Sequence, residues 1–213
     1  KSISADDFNH FWPDTRTRID LPEGQKNYSV KLPFEITFYS HPVKELFIFP
    51  EGFVSVSDTR DHDSRYIAPL PISFECHHSD SSSLSYWLAD KNQSVSVQWE
   101  NCIPKNIPMK APFTFRLKVW RKGLIEFTYK KLGISIQARI LDFMDGIFIG
   151  ISDSITTGNF TFKYHEVRVP QKYIAENVRV SIRPLPGSCI EMDSCEKCVT
   201  AFRDDHHCYW CPD

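Results

Sequence analysis

Three observations predict an all-β chain, an antiparallel sandwich or barrel followed by a small disulfide-rich module. Apolar and polar residues alternate at period two over much of the chain, most cleanly from about residue 95 onward; this pattern turns one face of each strand to a core and the other to water. No long segment follows the helical 3.6-residue period, and 14 prolines punctuate the chain. Five of the seven cysteines crowd into the last stretch, at Cys189, Cys195, Cys198, Cys208 and Cys211.

The strands follow in order. Ile72–Cys76 and Leu84–Leu88 come first, with a turn at Asp90–Gln93. Val95, Val97 and Trp99 then oppose Ser94, Ser96 and Gln98. Phe113, Phe115, Leu117 and Val119 alternate with Thr114, Arg116 and Lys118, and Arg121-Lys122-Gly123 turns the chain into Ile125, Phe127 and Tyr129. Ile134, Ile136, Ala138 and Ile140 make another strand, and Asp145-Gly146 turns into Ile147–Ile151. Phe160, Phe162 and Tyr164 form an apolar face, as do Val178, Val180 and Ile182. Helix is expected only at Ser194–Ala201, capped by Ser194.

Bulk properties narrow the function. A chain of 213 residues buries a full core and suits one large domain with a small second one. A net charge of -2 argues against a protein built to grip nucleic acid. The longest apolar runs are strand-sized, too short to cross a bilayer. The polar opening from Lys1 to His10 carries no signal peptide, which predicts a processed or trimmed fragment with any membrane anchor outside it.

Cysteines and glycosylation sequons together predict an oxidising, extracellular compartment. The three sequons begin at Asn27, Asn92 and Asn159. Cys76 and Cys102 stand apart from the cluster, at the ends of the first and third strands of a meander. They meet if the meander curls or the third strand pairs elsewhere, and the bridge would contribute about 3 kcal/mol. The competing reading is two buried free thiols.

The C-terminal cluster has two readings. Cys195-x2-Cys198 and Cys208-x2-Cys211 have the spacing of a four-thiolate zinc site, with His206 and His207 adjacent. Disulfides are favoured over zinc, because Cys189 belongs to the same cluster and Tyr209 and Trp210 fill the second pair where zinc knuckles often carry small residues. Neither metal nor cofactor is therefore expected.

The same residues carry a resemblance. Cys189-x5-Cys195-x2-Cys198-x9-Cys208-Tyr209-Trp210-Cys211 resembles the first half of a plexin–semaphorin–integrin (PSI) module. Upstream, Leu32-Pro33-Phe34-Glu35-Ile36-Thr37-Phe38-Tyr39, Gly52-Phe53-Val54, Arg65-Tyr66-Ile67-Ala68-Pro69-Leu70, Val97-Gln98-Trp99, Phe113-Thr114-Phe115, Gly150-Ile151-Ser152-Asp153 and Tyr164-His165-Glu166-Val167 resemble the nidogen-like domain of the plexin-domain-containing (tumour endothelial marker) proteins. The order of these segments matches, as does the junction Arg183-Pro184-Leu185-Pro186 into the PSI cysteines. The resemblance implies a nidogen-like β-sandwich over 1–185 and the N-terminal half of a PSI module over 188–213. It implies that Cys189 pairs with Cys208, leaving Cys195, Cys198 and Cys211 to partners beyond the end. Cys76 and Cys102 lie outside the pattern of the vertebrate members, which implies a divergent relative. The resemblance further implies the ectodomain of a single-pass receptor at the cell surface, with matrix contact or reception of a secreted serpin-like factor as its work. A secreted matrix protein is the alternative, and an intracellular zinc module a third.

No enzyme is expected. The chain lacks a GxSxG elbow, an HExxH pair, a phosphate-cradling glycine loop and a dinucleotide fingerprint. Asp58, Asp61 and Asp63 with His62 lack the order of a calcium loop, and His77 and His78 read as loop histidines. One surface feature is a candidate binding site: a basic stripe in which Arg116 and Lys118 point outward and the hairpin ends bring Arg121, Lys122, Lys130 and Lys131 near them. It would steer an acidic partner or sulfated glycan, or simply guard a strand against edge pairing.

Overall fold

The computed structural model describes residue 12, residues 18–39, 41–57, 65–105, 111–133, 147–157, 160–184, 194 and 196, and the pairs 202–203 and 206–207. Its strands are β1 (Ile19–Asp20), β2 (Tyr28–Phe38), β3 (His41–Phe49), β4 (Phe53–Ser55), β5 (Tyr66–Ala68), β6 (Phe74–Glu75), β7 (Ser83–Ala89) and β8 (Ser94–Pro104). These are followed by β9 (Phe113–Trp120), β10 (Ile125–Leu132), β11 (Gly150–Thr157), β12 (Phe160–Arg168), β13 (Val178–Ile182), β14 (Phe202–Arg203) and β15 (His206–His207).

The fold is the expected all-β, antiparallel one. A seven-stranded sheet runs β1-β7-β8-β9-β10-β13, with β6 also paired to β8, and a six-stranded sheet runs β12-β11-β5-β4-β3-β2. β14 and β15 form a separate two-stranded ribbon. The two large sheets share one core of buried side chains, including Trp99, Phe115, Phe127 and Tyr129 from the first and Ile36, Leu46, Ile48 and Ile67 from the second. Trp99 stacks on Phe115 at 4.9 Å between ring centroids. Two hydrogen bonds tie the layers together: Trp99 Nε1 donates to the Phe49 carbonyl at 3.2 Å, and the buried Tyr129 hydroxyl to the Pro69 carbonyl at 2.6 Å. Buried polar groups are retained where such partners exist.

Local chemistry sets the elements. β2 alternates buried and exposed residues along its whole length, so Tyr28, Val30, Leu32, Phe34, Ile36 and Phe38 all enter the core. Pro33 cannot donate to a ladder, and it sits where β2 leaves register with β3, between Lys31 and Ile36, on an edge strand that tolerates the gap. The β9–β10 hairpin turns at Gly123, whose φ of 80° suits glycine. Gly52 has a stronger requirement: at φ 78°, an added Cβ would lie 1.9 Å from the Leu70 carbonyl oxygen.

Cys76 and Cys102 are bridged by a disulfide, with Cα atoms 4.3 Å apart. Pairing, rather than a curled meander, brings them together. β6 lies directly against β8, with Phe74 opposite Pro104 and Glu75 opposite Ile103, so the next positions along the two strands are the cysteines.

Two expectations are corrected. The strand drawn at Ile147–Ile151 begins at Gly150 and continues through the polar Ser152, Asp153 and Ser154 to Thr157. Phe160, Phe162 and Tyr164 were expected to line the core and instead face solvent, at 71%, 56% and 67% exposure. Register explains why. Phe162 opposes Ile155 and Phe160 opposes Thr157, at the far end of the β11–β12 hairpin, whereas among the described residues the apolar core reaches β11 at Ile151, opposite Val167. The predicted strand Ile134–Ile140, the turn Asp145-Gly146 and the loop Asp58–Asp63 lie outside the described residues, as do Asn159 and the cysteines Cys189, Cys195, Cys198, Cys208 and Cys211. Of the predicted helix only Ser194 and Glu196 are described.

Candidate functional site

The basic stripe is not the open cationic surface its spacing predicts. β9 is an interior strand, flanked by β8 and β10, so no edge needs guarding there. Arg116 is 5% exposed. Its guanidinium lies 4.0 Å from the ring centre of Trp12 and 4.7 Å from that of Trp87, within cation–π reach of both. Its Nε and Nη2 both donate to Gln98 Oε1, at 3.1 and 2.8 Å. Burial first, and then the charge of Arg18, pushes the Arg116 pKa down to about 9, opposed by Glu100; the group stays protonated at neutral pH. Lys118 ion-pairs with Asp90 at 2.7 Å and lies 4.1 Å from the ring centre of Trp120. Lys130 is 5.1 Å from the ring centre of Trp12. Arg121, Lys122, Lys130 and Lys131 are exposed. The stripe therefore divides into a covered centre and solvated ends.

Segments distant in sequence converge elsewhere, at one corner of the six-stranded sheet. Tyr39 follows β2 in the left-handed region, at φ 45°, an uncommon conformation for an aromatic residue. Its hydroxyl is 2.9 Å from Nδ1 of His165 on β12, with the two rings 5.0 Å apart. β2 and β12 are the opposite edges of that sheet, so the sheet curls until its edges meet through side chains. Behind this pair lies Asp153 on β11, buried and ion-paired at 3.1 Å with Nε of Arg65. The pair satisfies the distance of an ion pair without the alignment of a hydrogen bond. Burial, then the charges of Asp153 and Glu166, raises the Tyr39 pKa well above that of free tyrosine. Glu166 accepts from Lys163 at 3.0 Å, which with Arg168 holds its carboxyl below the usual range.

Directly beyond this corner are the exposed Phe160, Phe162 and Tyr164. The two features adjoin: an exposed apolar row on an edge strand beside a hydrogen-bonded polar cluster. A β-bulge at Tyr164, between Lys163 and His165, breaks the ladder where a foreign strand would add, so side chains rather than backbone are what this edge offers. Sequence reasoning singled out Tyr164 and the segments that supply Tyr39, Arg65, Asp153 and His165, but not their meeting.

The remaining candidates have simpler places. Asn92 is exposed on the β7–β8 turn at φ 63°, and Asn27 is half-buried just before β2. His77 Nε2 sits 2.8 Å from the Leu21 carbonyl, fixing one loop to another. A hollow of 270 Å³ beside the disulfide is lined by Glu23, Tyr28, Glu51, Phe74 and His77. Among the described residues, no group of three or more His, Cys, Asp or Glu is placed to hold a metal ion, and no helix is long and apolar enough to cross a membrane. No family model matches the chain, and no solved structure matches it.

Proposed function

We propose that the chain is the recognition part of a cell-surface receptor or adhesion protein, an extracellular domain that binds a protein ligand or matrix component. Residues 1–185 are read as a nidogen-like sandwich and residues 188–213 as the start of a PSI module, the membrane anchor lying outside this stretch. The observation that carries the proposal is the row Phe160, Phe162 and Tyr164, three large aromatic side chains left in solvent on one edge strand. Aromatic clusters of this kind are what binding surfaces desolvate on contact. The Cys76–Cys102 bridge supports an oxidising compartment, and the exposure of Asn92 supports its use as a glycan site.

The test has two arms. Intact mass of the chain produced through a secretory pathway, with and without glycosidase, should show glycan on at least Asn92. The same material is then measured by surface plasmon resonance against purified matrix proteins and receptor ectodomains, beside a Phe160→Ser/Phe162→Ser/Tyr164→Ser variant. Saturable binding that the variant weakens at least tenfold, at unchanged Tm, supports the proposal. Unglycosylated protein, or binding indifferent to the three aromatics, overturns it.

A further inference from the structure

The two ends of the Cys76–Cys102 bridge are not equivalent. The hollow of 270 Å³ lies at the end of the sandwich where β2 begins, between the β3–β4 turn of one sheet and β6 of the other. Phe74 and Leu84, both buried, supply its apolar wall. Cys76 lines this cleft and Cys102 does not; the two are 3% and 0% exposed. β6 pairs with β8 alone, through two residue pairs, and so short a strand opens locally more readily than the long ladders around it. On the far side of the bridge, Cys102 Sγ lies 3.7 Å from the Ser83 carbonyl oxygen and 3.6 Å from that of Glu100. A thiol arriving from solvent through the cleft therefore meets Cys76 first.

The charges of the cleft select among thiols. Five exposed charged side chains line it: the carboxylates of Glu23, Glu51 and Glu75, and the ammonium groups of Lys26 and Lys105. Among the described residues none of the five forms an ion pair, so their charges act on whatever enters. The carboxylates are in excess, and a bare thiolate, itself an anion, is opposed by that excess. A thiol carrying its own ammonium group arrives as a zwitterion and escapes the repulsion. His77, also in the lining, has Nε2 2.8 Å from the Leu21 carbonyl, which fixes the residue after Cys76 in the cleft wall.

We propose that Cys76 is a reversible thiolation site: a small amino thiol enters the cleft and exchanges with the bridge, leaving itself on Cys76 and a free thiol on Cys102. The incoming thiolate sulfur bonds to Cys76 Sγ as the Cys76–Cys102 bond breaks, and the electron pair of that bond departs on Cys102 Sγ. The proton given up by the incoming thiol returns through water to Cys102. One disulfide is consumed and one is formed, so nothing beyond the thiol itself is required. Cys102 then donates to the carbonyl of Ser83 or Glu100. Buried beside those oxygens it is held as the thiol, a weak nucleophile, and is slow to expel the adduct. The fold survives the exchange because Phe74, packed on Phe113 and Phe115, keeps β6 seated. The adduct occupies the cleft until a second thiol removes it.

The experiment uses the whole chain without denaturant. Cysteamine, mercaptoethanol and mercaptopropionate are added at equal thiolate concentration, free thiols are trapped with N-ethylmaleimide, and the peptides are mapped by mass spectrometry. Each rate is divided by that thiol's rate with hydroxyethyl disulfide, which removes intrinsic nucleophilicity. An adduct on Cys76 with maleimide on Cys102, exceeding the reverse isomer about tenfold while tryptophan fluorescence keeps its folded signal, supports the site. The reverse isomer in equal or larger amount, or an adduct that forms only in urea, overturns it. The charge argument predicts cysteamine about fivefold faster than mercaptopropionate, with mercaptoethanol between them and the spread narrowing in high salt. Equal rates for the three overturn the choice of an amino thiol. Glu51→Gln/Glu75→Gln alters two exposed side chains without touching the core, and must shrink the preference for cysteamine. An unchanged preference in that variant overturns the role given to the cleft.

Discussion

Removing the Cys76–Cys102 bridge tests how much a covalent link adds to the short β6–β8 pairing. β6 is two residues long and holds to β8 through two residue pairs, with Phe74 buried against Phe113 and Phe115. The bridge closes a loop with a sequence separation of 26. The chain-entropy relation for a loop of that length gives about 3.5 kcal/mol of stabilisation, acting through the unfolded state. A Cys76→Ala/Cys102→Ala variant loses this and also leaves small voids where two buried sulfurs stood, adding about 1 kcal/mol. At this chain length each kcal/mol moves the midpoint by about 2–4 °C, so the variant should melt about 10–15 °C lower. Urea titration followed by tryptophan fluorescence gives the free energy, since Trp99 lies in the core. Wild type in the presence of a phosphine reductant separates loop entropy from the voids and should lose about 3.5 kcal/mol. A loss below about 1 kcal/mol on reduction would refute the argument. It would mean that the unfolded chain is already compact enough for the link to restrain it little.

Other perturbations follow from single contacts. Tyr129→Phe removes the donor to the Pro69 carbonyl and leaves a buried acceptor unmet, costing about 1–2 kcal/mol in urea unfolding. Gly52→Ala forces a Cβ onto the Leu70 carbonyl at a positive φ, and should destabilise by about 2 kcal/mol or more, or prevent secretion. Asp90 gives a pH dependence: burial raises its carboxyl pKa, but the hydrogen bonds from Lys118 and Ser94 and the charge of Lys118 outweigh burial, so the net shift is downward. A depressed folded pKa means that the stabilisation is present above the unfolded value of about 3.9 and is lost as pH falls through the folded one. Asp90→Asn should therefore lower Tm at pH 7 and converge on wild type near pH 2, read from melting curves across that range.

Local pattern revealed strands and faces, and failed where distant chain decided. The β9–β10 hairpin is legible because Phe113–Val119 and Ile125–Tyr129 alternate cleanly around Arg121-Lys122-Gly123. The same alternation put Arg116 and Lys118 on the outer face correctly. It could not show that Trp12, more than a hundred positions earlier, lies over Arg116. Likewise the apolar face of Phe160, Phe162 and Tyr164 was readable, but not that the core stops short of it. Period two says which side a residue takes and nothing about how far the opposing layer extends. The Tyr39–His165 contact spans 126 positions and has no local signature; its two residues fall in segments that carry the family resemblance, and only folding shows that they touch.

The placement of β1 and β13 has a mechanical consequence. They are the opposite edges of one sheet, and they are the strands by which the chain enters and leaves the sandwich. Tension applied between those points would peel an outermost strand from its neighbour one hydrogen bond at a time, instead of shearing a whole ladder at once. β1, with two paired residues, would yield before β13, with five. The Cys76–Cys102 link limits the extension, since residues 77–101, with β7 and most of β8, lie inside the closed loop and cannot be drawn out.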